Sequence, residues 1–593
     1  MDLLTVWAPA AERVELALGD DRRVMEPTNG GWFAAPRPAP GTDYAFVVDG
    51  NGPFPDPRSR HQPEGPHGPS RIVDPDAFTW TDATFRAPPL ASGLIYELHI
   101  GTFTPEGTFD AAIGRLDHLV ELGVTHVEIL PVHAWGGRWG WGYDGVCLYA
   151  PYEPYGGPDG LRRFVDACHA RDLAVLVDAV YNHLGPDGNY TSQFGPYFTD
   201  DHHTPWGAGL NVDRAGSDEV RRWILDNARM WFTEYHADGL RLDAIHAIAD
   251  ASAVHLLEEM ATETAELADQ LRRPLVLVAE SNLNDHRLVR PRHLGGHGLD
   301  AMWSDDFHHT VHVALTGERA GYYEDFGRPP GPLSELARTV ERGFVYDGGY
   351  SPHRDRRHGR PMGDTPPTTL VVSIQNHDQV GNRAAGERLA DLVGVDRAMV
   401  AAALMLCGPS VPMLFQGEEW AASSPFRFFT DHRDPALGDA VREGRRGEFA
   451  AFGWAPEDVP DPQDPDTFEC SKLRWDELTG GDHARVLDWY RRLVRLRRDA
   501  ALGDGRWAQA RADDDAGTIV IDRGEVVVAA NISTQEQLVP IAGLDGDVEL
   551  LASRDGALIT DGAIRLPSNA AAVVRRSRTN DPRGPRGGGR TRA

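Results

Sequence analysis

Cysteine is scarce: four residues in 593, scattered at Cys147, Cys168, Cys407 and Cys470 with no CxxC pair. That spacing excludes a zinc ribbon and a disulfide framework. Long apolar runs are missing as well, for none reaches the roughly 18–20 residues that span a bilayer. The opening segment MDLLTVWAPAAERVELALGD has no basic stretch leading into an apolar one, so no signal peptide is expected and the expected location is cytoplasmic. Positive charge is in deficit: 59 Lys and Arg stand against 89 Asp and Glu, a formal net charge of -30. Nucleic-acid affinity rests on clustered Lys and Arg, so neither a nucleic-acid nor a membrane partner is expected.

What is present is organised in three parts and a tail. Residues 1–90 read as a small all-β module of short, partly alternating strands (TVWAP, RVELAL, GWFAAP, DYAFVVDG) between Gly, Pro and Asp turns. Residues 91–504 alternate strand and helix. Strand candidates lie at 94–100, 124–132, 173–180, 239–245, 275–280, 299–307, 370–378 and 411–419. Between them, 109–123 and 217–236 carry apolar residues at helical spacing, the second with Ser217 as its expected N-cap. Eight such strands predict a (β/α)8 TIM barrel. Helix 482–499 is expected to close it, and 181–216 and 308–368 exceed what plain βα loops require. Residues 505–575 return to β-strands and predict a small C-terminal β-sandwich. The basic, Gly/Pro-rich segment 576–593 is expected to be disordered.

The chemistry gathers at strand ends. LAVLVDAVYNH (173–183), GLRLDAIH (239–246), LVLVAES (275–281) and LVVSIQNHD (370–378) each run through Val, Leu and Ile and stop in ionisable residues. A buried parallel strand opening into a pocket has this form. Cleaving a glycosidic bond needs a proton donor for the leaving oxygen and a carboxylate to meet the cationic sugar carbon. Asp243 lies two residues after Arg241, on the same side of the strand, and a guanidinium there would keep it ionised as a nucleophile requires. Glu280 follows an apolar run whose environment would raise its pKa into the range of a general acid. Asp378, beside His377, would add negative field for an oxocarbenium-like transition state. Each has a plainer reading: Arg241 with Asp243 as a structural ion pair, Glu280 as a strand-end cap, His377–Asp378 as a loop pin. Asp178 is read as structural.

The strings DAVYNH (178–183), GLRLDAIHA (239–247), VAES (278–281) and QNHDQVGN (375–382) resemble, in order, the four sequence regions of the α-amylase family of retaining glycoside hydrolases. The resemblance implies Asp243 as nucleophile, Glu280 as general acid/base and Asp378 as transition-state stabiliser. It also implies Arg241, His183 and His377 as holders of the sugar in the −1 subsite. WGYDG (141–145) resembles the second-strand loop of that family, with Tyr143 stacking on that sugar and Asp144 near it. The N-terminal module, expected to be immunoglobulin-like and similar to glucan-binding ones, begins VWAPAAERVEL and is similar to those of branching and debranching enzymes and of the trehalose-releasing subgroup, the maltooligosyltrehalose trehalohydrolases; the stretches 203–213, 279–285, 302–326, 414–432 and 461–475 resemble the last of these. That implies a substrate, maltooligosyltrehalose, cleaved at the α-1,4 bond next to its terminal trehalose, and work in sequence with an enzyme that forms it. Trp303, Asp305, Asp306, His308, Glu418, Phe428 and Phe429 are the candidates on the trehalose side, with His309, Glu419 and Trp420 beside them. Aromatic faces suit sugar rings and carboxylates accept from hydroxyls; loop packing is the alternative for each. No calcium-cage loop rich in Asp and Asn occurs near 133–150, so no metal or other cofactor is expected. A glycogen-branching or debranching enzyme would share the three carboxylates, and an inactive glucan-binding protein would have lost one.

Overall fold

The computed structural model describes residues 2–450, 454–455, 459–544 and 548–576. Its centre is a closed barrel of parallel strands: β1 (Ile95–Leu98), β2 (His126–Ile129), β3 (Ala174–Ala179), β4 (Gly239–Leu242), β5 (Val276–Ala279), β6 (Ala301–Trp303), β7 (Leu370–Val372) and β8 (Val411–Phe415), with β8 pairing back to β1. All residues of β1, β2, β3 and β4 are buried, as strands covered on both faces by barrel filling and helices must be.

The strands are shorter than their apolar runs. In 299–307 the strand stops at Trp303, and helix Asp305–Thr316 begins, placing Asp305 and Asp306 in a helical first turn where the helix dipole favours acids. In 370–378 it stops at Val372; His377 and Asp378 open a short helix, His377–Gly381, capped by Asn376, whose side chain accepts from the Gln379 N–H. In 411–419 it stops at Phe415, Gly417 turns at φ 81, and Glu418–Trp420 form a 3-10 turn. The stretch 109–123 is two helices, Phe109–Ile113 and Leu116–Leu122, broken at Gly114 and Arg115. Ser217 is the first helical residue of Ser217–Glu234; the cap position belongs to Gly216, with φ 82 and no side-chain bond.

Insertion 181–216 carries a hairpin, Phe198–Thr204 with Gly207–Leu210, and 308–368 carries helix Pro332–Arg342 and a short hairpin, Tyr350–Ser351 with Arg356–Arg357. Ahead of the barrel, two antiparallel sheets span strands Leu3–Trp7 to Ser70–Arg71. They are fixed to Ser217–Glu234 by Trp32 Nε1 donating to Glu219 (3.1 Å), Arg58 to Asp226 (2.8 Å) and Arg60 to Glu234 (2.9 Å). Helix Gly481–Asp499 packs against Val395–Leu406, Trp489 Nε1 donating to the Met399 carbonyl at 2.9 Å. Two further sheets follow between Gln509 and Arg576. Arg576, assigned to the tail from sequence, instead ends a strand and pairs with Asp522 at 3.1 Å; the tail from 577 onward lies outside the described residues.

Gly239 opens β4 where its neighbours leave no space: an added Cβ would lie 2.5 Å from Val276 Cγ2 and 2.6 Å from Leu176 Cδ2. Overpacking of this kind costs about 1–3 kcal/mol. Gly239→Ala should therefore lower the free energy of unfolding, measured by urea titration, by that amount relative to the parent; an unchanged value would show that the barrel yields here.

Candidate active site

Arg241 is fully buried at the end of β4 and sits between acids. Its Nη1 donates to Asp178 Oδ2 (2.7 Å) and Oδ1 (2.9 Å) and to Asp243 Oδ1 (2.7 Å), while Nη2 lies 3.7 Å from Glu280 Oε2. Burial alone would depress this guanidinium; Asp178, Tyr143, Asp243 and Glu280 outweigh it and hold it charged. The Trp303 ring lies against it, 4.4 Å from the guanidinium carbon, a cation–π contact in a dry setting. Arg241 and Asp243 do form an ion pair, as the plainer reading had it, but the pair is one edge of a cluster.

Asp243 and Glu280 sit differently. Asp243 accepts from Arg241 on Oδ1 and from Asn182 Nδ2 on Oδ2 at 2.6 Å, so both oxygens are met by donors that favour the anion. Glu280 has no such partner apart from the Ala244 N–H, which reaches its Oε2. Ala244 adopts φ 38 to point that N–H across, a left-handed residue of the kind that concentrates at functional sites. Burial pushes the Glu280 carboxyl up to about 8, against Arg241 and with help from Asp243, Asp378 and Asp305. Two carboxyl groups in one site are thereby set apart: Asp243 meets a donor on each oxygen, and burial keeps Glu280 protonated near neutral pH.

Asp378 is half-exposed, at the mouth, its Oδ1 3.4 Å from His377 Nε2. His377 is pinned from below by Glu97 on β1: Glu97 Oε1 accepts from His377 Nδ1 at 2.6 Å and Oε2 from its backbone N–H at 3.0 Å. Tyr143 donates its hydroxyl proton to Asp178 Oδ2 (2.7 Å), so at 2.8 Å it accepts from His377 Nε2. Both ring nitrogens then carry protons. Burial opposes the charged ring, but Asp378 and Glu97 prevail and lift His377 to about 9. Glu128, beside Glu97 on β2, is pushed well above the usual range by burial and by Glu97 itself. His183 contacts Asn182 Oδ1 through Nδ1 and the Tyr143 carbonyl through Nε2 at 3.0 Å; burial lowers it and leaves it neutral.

A cavity of about 280 Å³ opens beside Glu280 and Asp378, with Trp303, Asp305, Tyr322 and Arg354 in its wall. Of the trehalose-side residues proposed from sequence, Trp303, Asp305, Asp306 and His309 reach it. Asp306, however, spends Oδ2 on the N–H groups of Val345 (2.7 Å) and Tyr346 (3.2 Å) and on Asn284 (3.0 Å), which makes it a loop anchor. His308 is buried between the Ile374 carbonyl (2.8 Å) and Tyr323 (2.9 Å) and does not line the cavity, whereas His309 does. Glu418 is buried against Tyr490 (3.0 Å), and Glu419 against Tyr96 and His118; Trp420 packs in the core. Gly417 turns all three away from the strand end. Phe429 is fully buried among His99, Phe426 and Phe468. For His308, Glu418, Glu419, Trp420 and Phe429 these are corrections to the trehalose-side candidates: each side chain is buried and none lines the cavity beside Glu280. Phe428 is half-buried against Trp141 and under Arg445, and Asp144 is half-exposed, 4.0 Å from His432.

Sequence reading missed Glu97, Asn182, Tyr322, His353 and Arg354. Asn182 stood in a quoted motif; Glu97 stood in the middle of an apolar strand, where a carboxylate without a partner is unaffordable and one with a partner is informative. Among the described residues, no group of three or more His, Cys, Asp or Glu is arranged to hold a metal ion, and no helix is long and apolar enough to cross a membrane.

Comparison with known proteins gives consistent neighbours. The α-amylase catalytic-domain family model matches residues 70–202. A malto-oligosyltrehalose trehalohydrolase of Arthrobacter ramosus is 52% identical, over 88% of this chain and 91% of its own. One from Rhizobium sp. (strain M-11) is 49% identical, over 96% and 97%. A provisionally named α-amylase of Salmonella typhimurium, known from a crystal structure, superposes with a TM-score of 0.88 at 40% identity, covering 97% of both chains.

Removing the charge on Glu97 tests the His377 relay. Glu97→Gln keeps the shape but loses a charge-assisted hydrogen bond of about 1.5–3 kcal/mol. It should lower kcat by roughly 10- to 100-fold and move an alkaline limb of the pH–rate profile to lower pH, because His377 would lose its proton sooner. An unmoved profile with an equal loss of kcat would mean a merely structural role.

Proposed function

The chain belongs to the malto-oligosyltrehalose trehalohydrolase family, and from that premise we propose how its residues divide the reaction. It is a glycoside hydrolase that cleaves the α-1,4-glucosidic bond next to the terminal trehalose of maltooligosyltrehalose, releasing trehalose by a retaining double displacement. Asp243 attacks the anomeric carbon and forms the covalent glycosyl intermediate. Glu280 gives its proton to the departing trehalose oxygen, then takes one from the water that frees the shortened glucan. Asp378 faces the charge that develops on the ring. Arg241, His183, His377 and Tyr143 hold the sugar whose bond breaks, with Asp144 at its edge. The observation that carries this division is the contrast between Asp243, with donors on both oxygens at 2.6 and 2.7 Å, and Glu280, raised to about 8 by burial.

The trehalose unit lies in the cavity beside Glu280. Trp303 and Tyr322 offer ring faces there. Asp305 and Arg354 offer an acceptor and a donor for hydroxyls. The enzyme works in the cytoplasm after another enzyme has closed the reducing end of a glucan into trehalose.

Incubation with maltooligosyltrehalose should give free trehalose as the main disaccharide product by chromatography. Branched or longer glucans instead would assign the chain to a transferring relative. Glu280→Gln should lower kcat by about 10²–10⁴-fold. In the parent enzyme kcat/KM should fall as pH rises through about 8, because the protonated form of Glu280 is the active one in the first step. The residual rate of Glu280→Gln should lack that limb; a limb that persists would assign the proton to another group.

A further inference from the structure

A second cavity, of about 210 Å³, shares no lining residue with the one beside Glu280 and takes no part in the proposed reaction. It lies between the N-terminal sheets and the C-terminal end of Ser217–Glu234, and its charged wall is Arg37, Arg58, Arg60, Arg71, Asp56 and Glu234. Guanidinium groups thus outnumber carboxyl groups by two, in a chain whose net charge is -30.

The donor and acceptor account is uneven. Both oxygens of Glu234 accept from Arg60 (2.9 and 3.2 Å). Those of Asp56 accept from the Tyr44 hydroxyl (2.7 Å) and the Arg58 N–H (2.8 Å). Asp43, outside the wall, takes Nε and Nη2 of Arg71 at 2.6 and 3.0 Å, leaving Nη1 without a partner. Arg58 uses Nη1 for Tyr149 (3.0 Å) and Asp226 (2.8 Å) and leaves Nε and Nη2. Arg37 reaches only the Val73 carbonyl at 3.3 Å and Asp2 at 3.6 Å, leaving Nη1. Arg37 is exposed, Arg58 and Arg71 are half-buried, and all three line the cavity. Three guanidinium edges lack acceptors while every carboxylate oxygen in the wall already has a donor. Leu3 and Ile72 add an apolar flank.

We propose that this cavity is a binding site for a phosphate group, either inorganic phosphate or a small phosphomonoester whose organic part lies on Leu3 and Ile72. A tetrahedral oxyanion accepts from several directions at once, which suits guanidinium edges converging from three chain segments. A ligand there touches the N-terminal sheets, the 56–71 loop and a barrel helix together, so it would also tighten the module onto the barrel.

The test is titration calorimetry of the full chain with inorganic phosphate and, separately, with glycerol 3-phosphate. Saturable one-site binding below about 10 mM is expected. Arg37→Gln and Arg71→Gln should each weaken it by at least about tenfold with hydrolysis of maltooligosyltrehalose unchanged. Arg37 has no short ion pair to lose, so its variant carries the test if Arg71→Gln folds poorly. Tighter binding of the ester identifies it as the ligand; equal affinity identifies phosphate alone. Absence of saturable binding, or affinity unaltered in Arg37→Gln, overturns the proposal, and neither outcome touches the assignment of the catalytic carboxylates.

Discussion

The site depends on one buried cation. Arg241 faces Asp178, Asp243 and Glu280 from the end of β4, and without it three carboxyl groups would share a dry pocket with no counter-charge nearby on the same strand. Burying like charges together drives one or more to protonate. Arg241 meets them unequally: it bonds Asp178 and Asp243 directly and stands 3.7 Å from Glu280, which burial raises to about 8. The cluster is therefore less a source of stability, which buried pairs seldom supply in net terms, than a way to hold the carboxyl groups in place. Lysine could not replace it, since a single ammonium lacks the planar fork that reaches two acids from Nη1 and a third from Nη2.

A second cation, His377, does the same on the opposite wall. It is charged because Glu97 lies beneath it and Asp378 beside it. Tyr143 joins the two halves, donating to Asp178 and accepting from His377. The network from Glu97 through His377, Tyr143, Asp178 and Arg241 to Asp243 crosses the barrel mouth in hydrogen bonds of 3.0 Å or less. Such a chain fixes side-chain rotamers before substrate arrives, and a preformed field costs no reorganisation in the transition state.

How much of this was readable in sequence follows from where each residue sits on its strand. Asp243 and Glu280 stand just past the ends of β4 and β5, where an apolar run and an abrupt polar stop mark the strand end that opens into the pocket. His377 and Asp378 were legible as a motif although they lie on a helix rather than a strand. Glu97 and Glu128 were not, because mid-strand acids inside a barrel look like exceptions to an apolar pattern and their partners are far away in sequence. Beyond β8 the reading failed in a different way. QGEEW and the FF pair at 428–429 have the composition of a binding loop, but Gly417 at φ 81 reverses the chain, so that Glu418, Glu419 and Trp420 bond inward. Side-chain direction in a loop is set by backbone dihedrals that composition does not encode.

That difference separates what the barrel fixes from what its loops vary. The carboxylates, Arg241, His377 and Glu97 are anchored on strands or within a few residues of strand ends, and their spacing is imposed by parallel registers such as Arg241 against Asp178 and Val278. The cavity beside Glu280 is built otherwise: Asp305 from the start of a helix, Tyr322 and Arg354 from the 308–368 insertion. Asp325, fully buried, holds that insertion together by accepting from the Ser351 hydroxyl and from the His353 N–H at 3.0 Å. On the proposed division of roles, bond cleavage and the choice of leaving group fall to separable parts of the chain. A barrel with the same strand ends could serve another glucan by changing an insertion, provided the insertion brings its own buried anchor. The wall of that cavity depends on Asp325 and Asp306 as the strand-end cluster depends on Arg241: each is buried and bonded to several neighbours, and each would be costly to remove alone.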